Sequence, residues 1–167
     1  MMGVGGSGYA KLSGDNQAFY QRILSAPNNA DVYTIFGSGN DLSSGKDLGT
    51  PSDTGTTTIC GCIKSTLDNL YSINPIANVA IISPTPWGDS DLSDDNSNWA
   101  LYVDALKTIA KNYGIPFLDL YHCSGLRPWD SDARALTYNE NDSTHPNAEG
   151  HKYIASKFMV LLESMLI

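Results

Sequence analysis

Residues 78–83, Asn-Val-Ala-Ile-Ile-Ser, form a short unbroken apolar run closed by Pro84-Thr85-Pro86. A run without alternation is the pattern of a strand buried on both faces, and such a strand needs a covering layer on each side. Two more segments have β character: Asp31 to Phe36, β-branched and aromatic, and Ile115 to Leu120. Helical periods separate them. Thr58 to Ile73 carries Ile59, Ile63, Leu67 and Leu70 on one face. Trp99 to Tyr113 carries Leu101, Tyr102, Ala105, Leu106, Ile109 and Ala110, and closes on Gly114. Residues 15–25 read as a shorter helix with Asp15 as its cap and Ala18, Phe19, Arg22 and Ile23 following. Strands separated by helices of about ten residues or more imply right-handed crossovers and a parallel sheet. The 167 residues show no repeat and no linker, so the expectation is a single α/β domain over residues 1–167.

Composition narrows the function. A net charge of −8 disfavours nucleic acid and anionic membranes as partners. The longest apolar runs, such as Phe158 to Leu162, are far too short to span a bilayer. The N-terminus, Met-Met-Gly-Val-Gly-Gly, has no basic segment followed by an apolar one, so it does not read as a signal peptide. Localisation is left open between the cytoplasm and the exterior or a phage particle, as part of a longer protein. Three cysteines, Cys60, Cys62 and Cys123, are too few for a disulfide framework or a zinc site, and they are expected as buried free thiols.

Three polar blocks punctuate this scaffold. Gly3-Val4-Gly5-Gly6-Ser7-Gly8 must turn tightly or approach something closely, or it is a frayed end. Gly37-Ser38-Gly39-Asn40-Asp41 sits at the carboxyl end of a strand, where open α/β sheets bind ligands. Asp142-Ser143-Thr144-His145-Pro146-Asn147 precedes the last helical pattern, whose face is Ile154, Phe158, Leu161, Leu162 and Met165. Pro146 suits the first turn of that helix, with His145 or Asn147 as N-cap. An Asp three residues before a His can bond one ring nitrogen and leave the other free as a base. The same letters also serve as a plain helix cap.

In this order, the three blocks resemble the SGNH hydrolases, also called the GDSL family, across nearly the whole chain. The wording between them, such as Phe36 to Asp41 and Phe117 to His122, looks like SGNH domains of prophage and gut-bacterial proteins of Firmicutes. The resemblance implies a three-layer, flavodoxin-like fold and a serine esterase without metal or organic cofactor. It implies an oxyanion hole from the Gly6 N–H and the Asn40 amide, with His145 as base oriented by Asp142. The implied substrates are esters, notably acyl esters of carbohydrate. Ser38 stands where the family has glycine.

The family's nucleophile lies in Gly-Asp-Ser, on a first strand ahead of the glycine block. The expectation is therefore that this chain lacks that strand, whose place the resemblance puts between the second and third, leaving strand 31–36 as an exposed apolar edge able to pair in an oligomer. Gly88-Asp89-Ser90 spells the motif in an acidic loop, and Ser7 lies beside the glycines; both are weak candidates without a strand to hold the hydroxyl. Ser38 and Ser83 read as loop hydrogen-bonders. A rival reading is a non-catalytic module of this fold, glycan-binding or structural in a phage tail. Trp87 is the candidate substrate-binding residue, with Trp129 a further aromatic after a strand end; either can instead pack a loop. Asp119 and His122 form a second Asp-His pair, read as structural, and His151 reads as solvated or half-buried. Arg127 and Arg134 suit a substrate carboxylate or the many acids equally.

Overall fold

The computed structural model describes residues 2–12 and 17–166. Three parallel strands, β1 (Tyr33–Phe36), β2 (Val79–Ile82) and β3 (Phe117–Leu118), lie in that order. β1 pairs directly with β2, from Tyr33 opposite Val79 to Phe36 opposite Ile82. Among the described residues no further strand lies between them, and β1 is an edge strand, as expected of a sheet that lacks its first strand. One edge of the sheet is the outer side of β1, where Phe36 is 42 % exposed.

Helices cover both faces. α2 (Ile59–Ile73) and α3 (Asn98–Tyr113) pack on one side, with Ile63, Leu67, Leu70, Leu106 and Ile109 buried against Tyr33, Ile35 and Ile81. α6 (Ala148–Met165) covers the other face through Leu161, Ile154 and Phe158 against Ala80, Ile82 and Leu120. The sequence sets these limits locally. The Thr58 hydroxyl caps α2 by accepting from Gly61 N, Ser97 caps α3 by accepting from Ala100 N, and Gly114 ends α3 at φ 66°, the left-handed region open to glycine.

Four expectations change. The first helix is short, α1 (Phe19–Arg22) running into a 3₁₀ turn at Ile23–Ser25, and it is entered through Ala18, whose N–H donates to Gln21 Oε1. Asp15, the expected cap, lies outside the described residues. The third strand keeps two residues, because the Asp119 side chain caps α4 (Leu120–Cys123) and turns the chain. The stretch 121–141, which reads as irregular from its sequence, holds α5 (Ser131–Thr137), capped by Asp130; a seven-residue helix gives too short a period to read. Finally, Cys60 and Cys62 are buried but Cys123 is exposed. Burial pushes the Cys60 thiol up to about 11, so it stays a thiol.

Candidate active site

The Asp142–His145 turn is built by its own carboxylate. Asp142 Oδ1 accepts from Thr144 N at 2.6 Å and His145 N at 3.1 Å, while Oδ2 lies 2.7 Å from His145 Nδ1. An ionised carboxylate only accepts, so Nδ1 carries the proton and Nε2 is the free base. The Thr144 N–H, then the His145 ring, hold the Asp142 carboxyl below the usual range. The His145 side chain is 74 % exposed, so Nε2 is open to solvent. Asn147, not His145, caps α6 through bonds from Glu149 N and Gly150 N, and Pro146 precedes the cap rather than entering the first turn. Asn147 Nδ2 also donates to Leu136 O and Tyr138 O, which docks the turn on α5.

The glycine block and the Asn40 turn form a second unit. Gly6 adopts φ 74°, and Asn40 Nδ2 donates to Ser7 O at 3.3 Å. Ser38, at the family's glycine position, caps the 3₁₀ turn Gly39–Ser43 by accepting from Asn40 N. The next residue, Asp41, is fully buried, and the sequence reading passed over it. It accepts from Tyr9 N, Ala10 N and Lys11 N and from Tyr102 Oη at 2.8 Å. Burial raises its carboxyl despite the Ala10, Tyr102, Tyr9 and Lys11 bonds, which pull it down. A signal for it existed: an Asp directly after an apolar strand and a short turn, in a stretch with no nearby basic residue to pair with it.

Segment 84–88 touches both units. A Cβ added at Gly39 would stand 2.8 Å from Trp87 Cζ2, and one added at Gly88 would stand 2.5 Å from Ser143 Cβ. The Pro86 carbonyl accepts from Tyr138 Oη at 3.0 Å. The Asn40 turn and the Asp142 turn therefore flank one loop, with no direct hydrogen bond between them among the described residues. Trp87 is half-buried, edge-on to Trp99 at 4.9 Å, and Trp99 stacks on Tyr121 at 5.8 Å.

The remaining candidates separate cleanly. Ser7 is 3 % exposed; its hydroxyl donates to Val4 O and accepts from Arg22 Nη1. Ser90 is 7 % exposed, and its hydroxyl accepts from Trp87 N inside a turn. Ser83 is buried and accepts from Leu120 N and Tyr121 N. Among the described residues, no serine hydroxyl bonds His145 Nε2. Asp119 and His122 do pair, Nδ1 to Oδ2 at 2.8 Å. Arg127 pairs with Asp130 at 3.4 Å, Arg134 donates to Pro128 O, and His151 and Trp129 are exposed. No group of metal-ligating side chains occurs among the described residues, and no helix there is long and apolar enough to cross a membrane.

Comparison with known proteins agrees with this fold. The GDSL-like lipase/acylhydrolase family matches residues 1–153. A protein of Lactobacillus plantarum superposes with TM-score 0.80 at 26 % identity, over 95 % of this chain and 77 % of that one. A possible lipase from Chitinophaga pinensis superposes with TM-score 0.66 at 21 % identity, over 88 % and 78 %. An acetylxylan esterase from Geobacillus stearothermophilus gives TM-score 0.52 at 19 % identity, over 78 % and 58 %. No curated protein matches the sequence.

Proposed function

The chain belongs to the GDSL-like lipase/acylhydrolase family, a family of ester hydrolases, and we propose that its chemistry is acyl transfer assisted by His145. The observation that carries this reading is the dyad: a carboxylate fixed by two backbone N–H groups holds Nδ1 at 2.7 Å and leaves Nε2 open. His145 takes the proton of the attacking hydroxyl and returns it to the leaving alcohol, and Asp142 stabilises the imidazolium between the two steps. The Gly6 N–H and Asn40 Nδ2 donate to the oxyanion of the tetrahedral intermediate, each worth roughly 3 kcal/mol of barrier. Trp87, against the Asn40 turn, lines the acyl side. The substrates are acyl esters of carbohydrate, in keeping with the acetylxylan esterase among the structural neighbours. A second copy pairing on the outer edge of β1 is part of the same reading.

The nucleophile divides this reading from its rival. Ser7 and Ser90 are buried with engaged hydroxyls, so neither is placed to attack; the rival is a non-catalytic module of this fold, glycan-binding or structural in a phage tail. Fluorophosphonate labelling with mapping of the modified residue separates the two. Neither Ser7 nor Ser90 is expected to label. A form bearing an apolar strand that ends in Gly-Asp-Ser, fused ahead of Gly3, is expected to label there and to lose the label on His145→Ala. If that form stays unlabelled while folded, the hydrolase reading fails.

A further inference from the structure

We propose that Asp41 is the positioning residue of the oxyanion hole: its carboxylate locks the backbone that follows Gly6 onto the turn that carries Asn40. The proposal rests on the reading of Gly6 and Asn40 as the two donors. These donors lie more than thirty positions apart in the chain, and an oxyanion hole works only when its donors keep a fixed spacing. Two adjacent residues supply the tie. Asn40 Nδ2 bonds Ser7 O, and Asp41 accepts three successive backbone N–H groups, from Tyr9, Ala10 and Lys11. Three consecutive N–H groups on one carboxylate make a nest, the arrangement by which backbone grips an anion.

The tie is closed on every side. Tyr102 Oη, from α3, donates to Oδ2 and anchors the carboxylate to the core. Lys11 Nζ donates to Ser43 O, joining the same two segments again at the surface. Gly8 is the residue that permits the approach, since a Cβ there would stand 2.5 Å from Asp41 Oδ1. Four donors from two segments of the chain converge on this one carboxylate. The Gly6 N–H and the second Asn40 amide proton remain without acceptors among the described residues, free for a ligand.

The test is ¹⁵N NMR of the 167-residue chain and its Asp41→Asn and Tyr102→Phe variants, with Leu67→Ala as a control that destabilises the same core without removing a bond to the carboxylate. An amide side chain at 41 accepts at one atom only and meets the nest with a second donor. The expected result is exchange at Tyr9, Ala10 and Lys11 faster by about tenfold or more, with shifted Gly6 and Asn40 Nδ2 signals, while α2 and α3 stay protected. Leu67→Ala should lower protection throughout and leave Gly6 and Asn40 unshifted. If Asp41→Asn does not fold, Tyr102→Phe decides, with the same changes in smaller size. Unshifted Gly6 and Asn40 signals in a folded variant, or changes matching those of Leu67→Ala, overturn the proposal. In the form bearing Gly-Asp-Ser, kcat on p-nitrophenyl acetate should fall about tenfold to a hundredfold in Asp41→Asn with KM held. Absence of turnover in the parent of that series would count against the hydrolase reading alone, because the NMR result stands apart from it.

Discussion

Asp142 and Asp119 show how one local motif serves two ends. Each lies three residues before a His, accepts that residue's N–H on Oδ1, and meets the ring Nδ1 with Oδ2, at 2.7 Å and 2.8 Å. The difference is their surroundings. His122 is 35 % exposed and edge-on to Tyr121, whereas His145 is 74 % exposed, in the turn whose Ser143 lies against Gly88. In the serine-bearing form, Asp142→Asn should cut turnover by about a hundredfold or more, and Asp119→Asn should leave it near the parent value. Rates for the two variants check this directly. A pH titration gives a second test. Because the folded Asp142 carboxyl sits below its ordinary value, its contribution to stability is present above the unfolded pKa, about 3.9, and is lost as pH falls through the folded one. ¹³C-detected titration should find Asp142 among the most acidic carboxyls, and Asp142→Asn should flatten that part of the stability curve.

At the scale of elements, β1 carries the main liability. Its outer edge presents the N–H and C=O groups of Thr34 and Phe36 without strand partners among the described residues, with Phe36 half out of the fold. Such edges pair with other chains unless charged or covered. Sedimentation velocity should find concentration-dependent association of the parent, reduced by Phe36→Lys; a clean monomer at high concentration would show that the edge is protected in solution. The helices are held by ordinary capping. Ser97→Ala removes the bond to Ala100 N and should cost about 1 kcal/mol, read from denaturant unfolding. The sequence located α2 and α3 closely because each combines a cap, a long apolar period and, for α3, a terminal glycine. It misjudged the first helix, the third strand and α5, where two to seven residues give periodicity too little length to work with.

Across the molecule the two helical layers are unequal. α2 buries eight residues, among them Ile63, Leu67 and Leu70, whereas α6 buries only Gly150 and Leu161. Opening free energy follows buried contact, so α6 amides should exchange well before those of α2. Hydrogen exchange by mass spectrometry checks that ordering. Leu67→Ala should cost about 2–5 kcal/mol and lower the melting temperature of the whole domain. The net charge of −8 works at this scale too, disfavouring polyanionic partners and leaving neutral or cationic substrates unopposed.

By itself the sequence determined the layer order, the parallel sheet and the family, because apolar period, strand-end glycines and the Asp-x-x-His spacing are local properties that survive in one dimension. The Asp142–His145 pair was legible for the same reason: its three hydrogen bonds all close within three residues. Only the tertiary structure decided that β1 lies directly against β2, that Ser7 and Ser90 are buried with their hydroxyls engaged, and that Asp41 grips the backbone some thirty residues earlier. Those facts depend on which surfaces meet and on how deeply a carboxylate is desolvated, and neither is written in the spacing of residues along a chain.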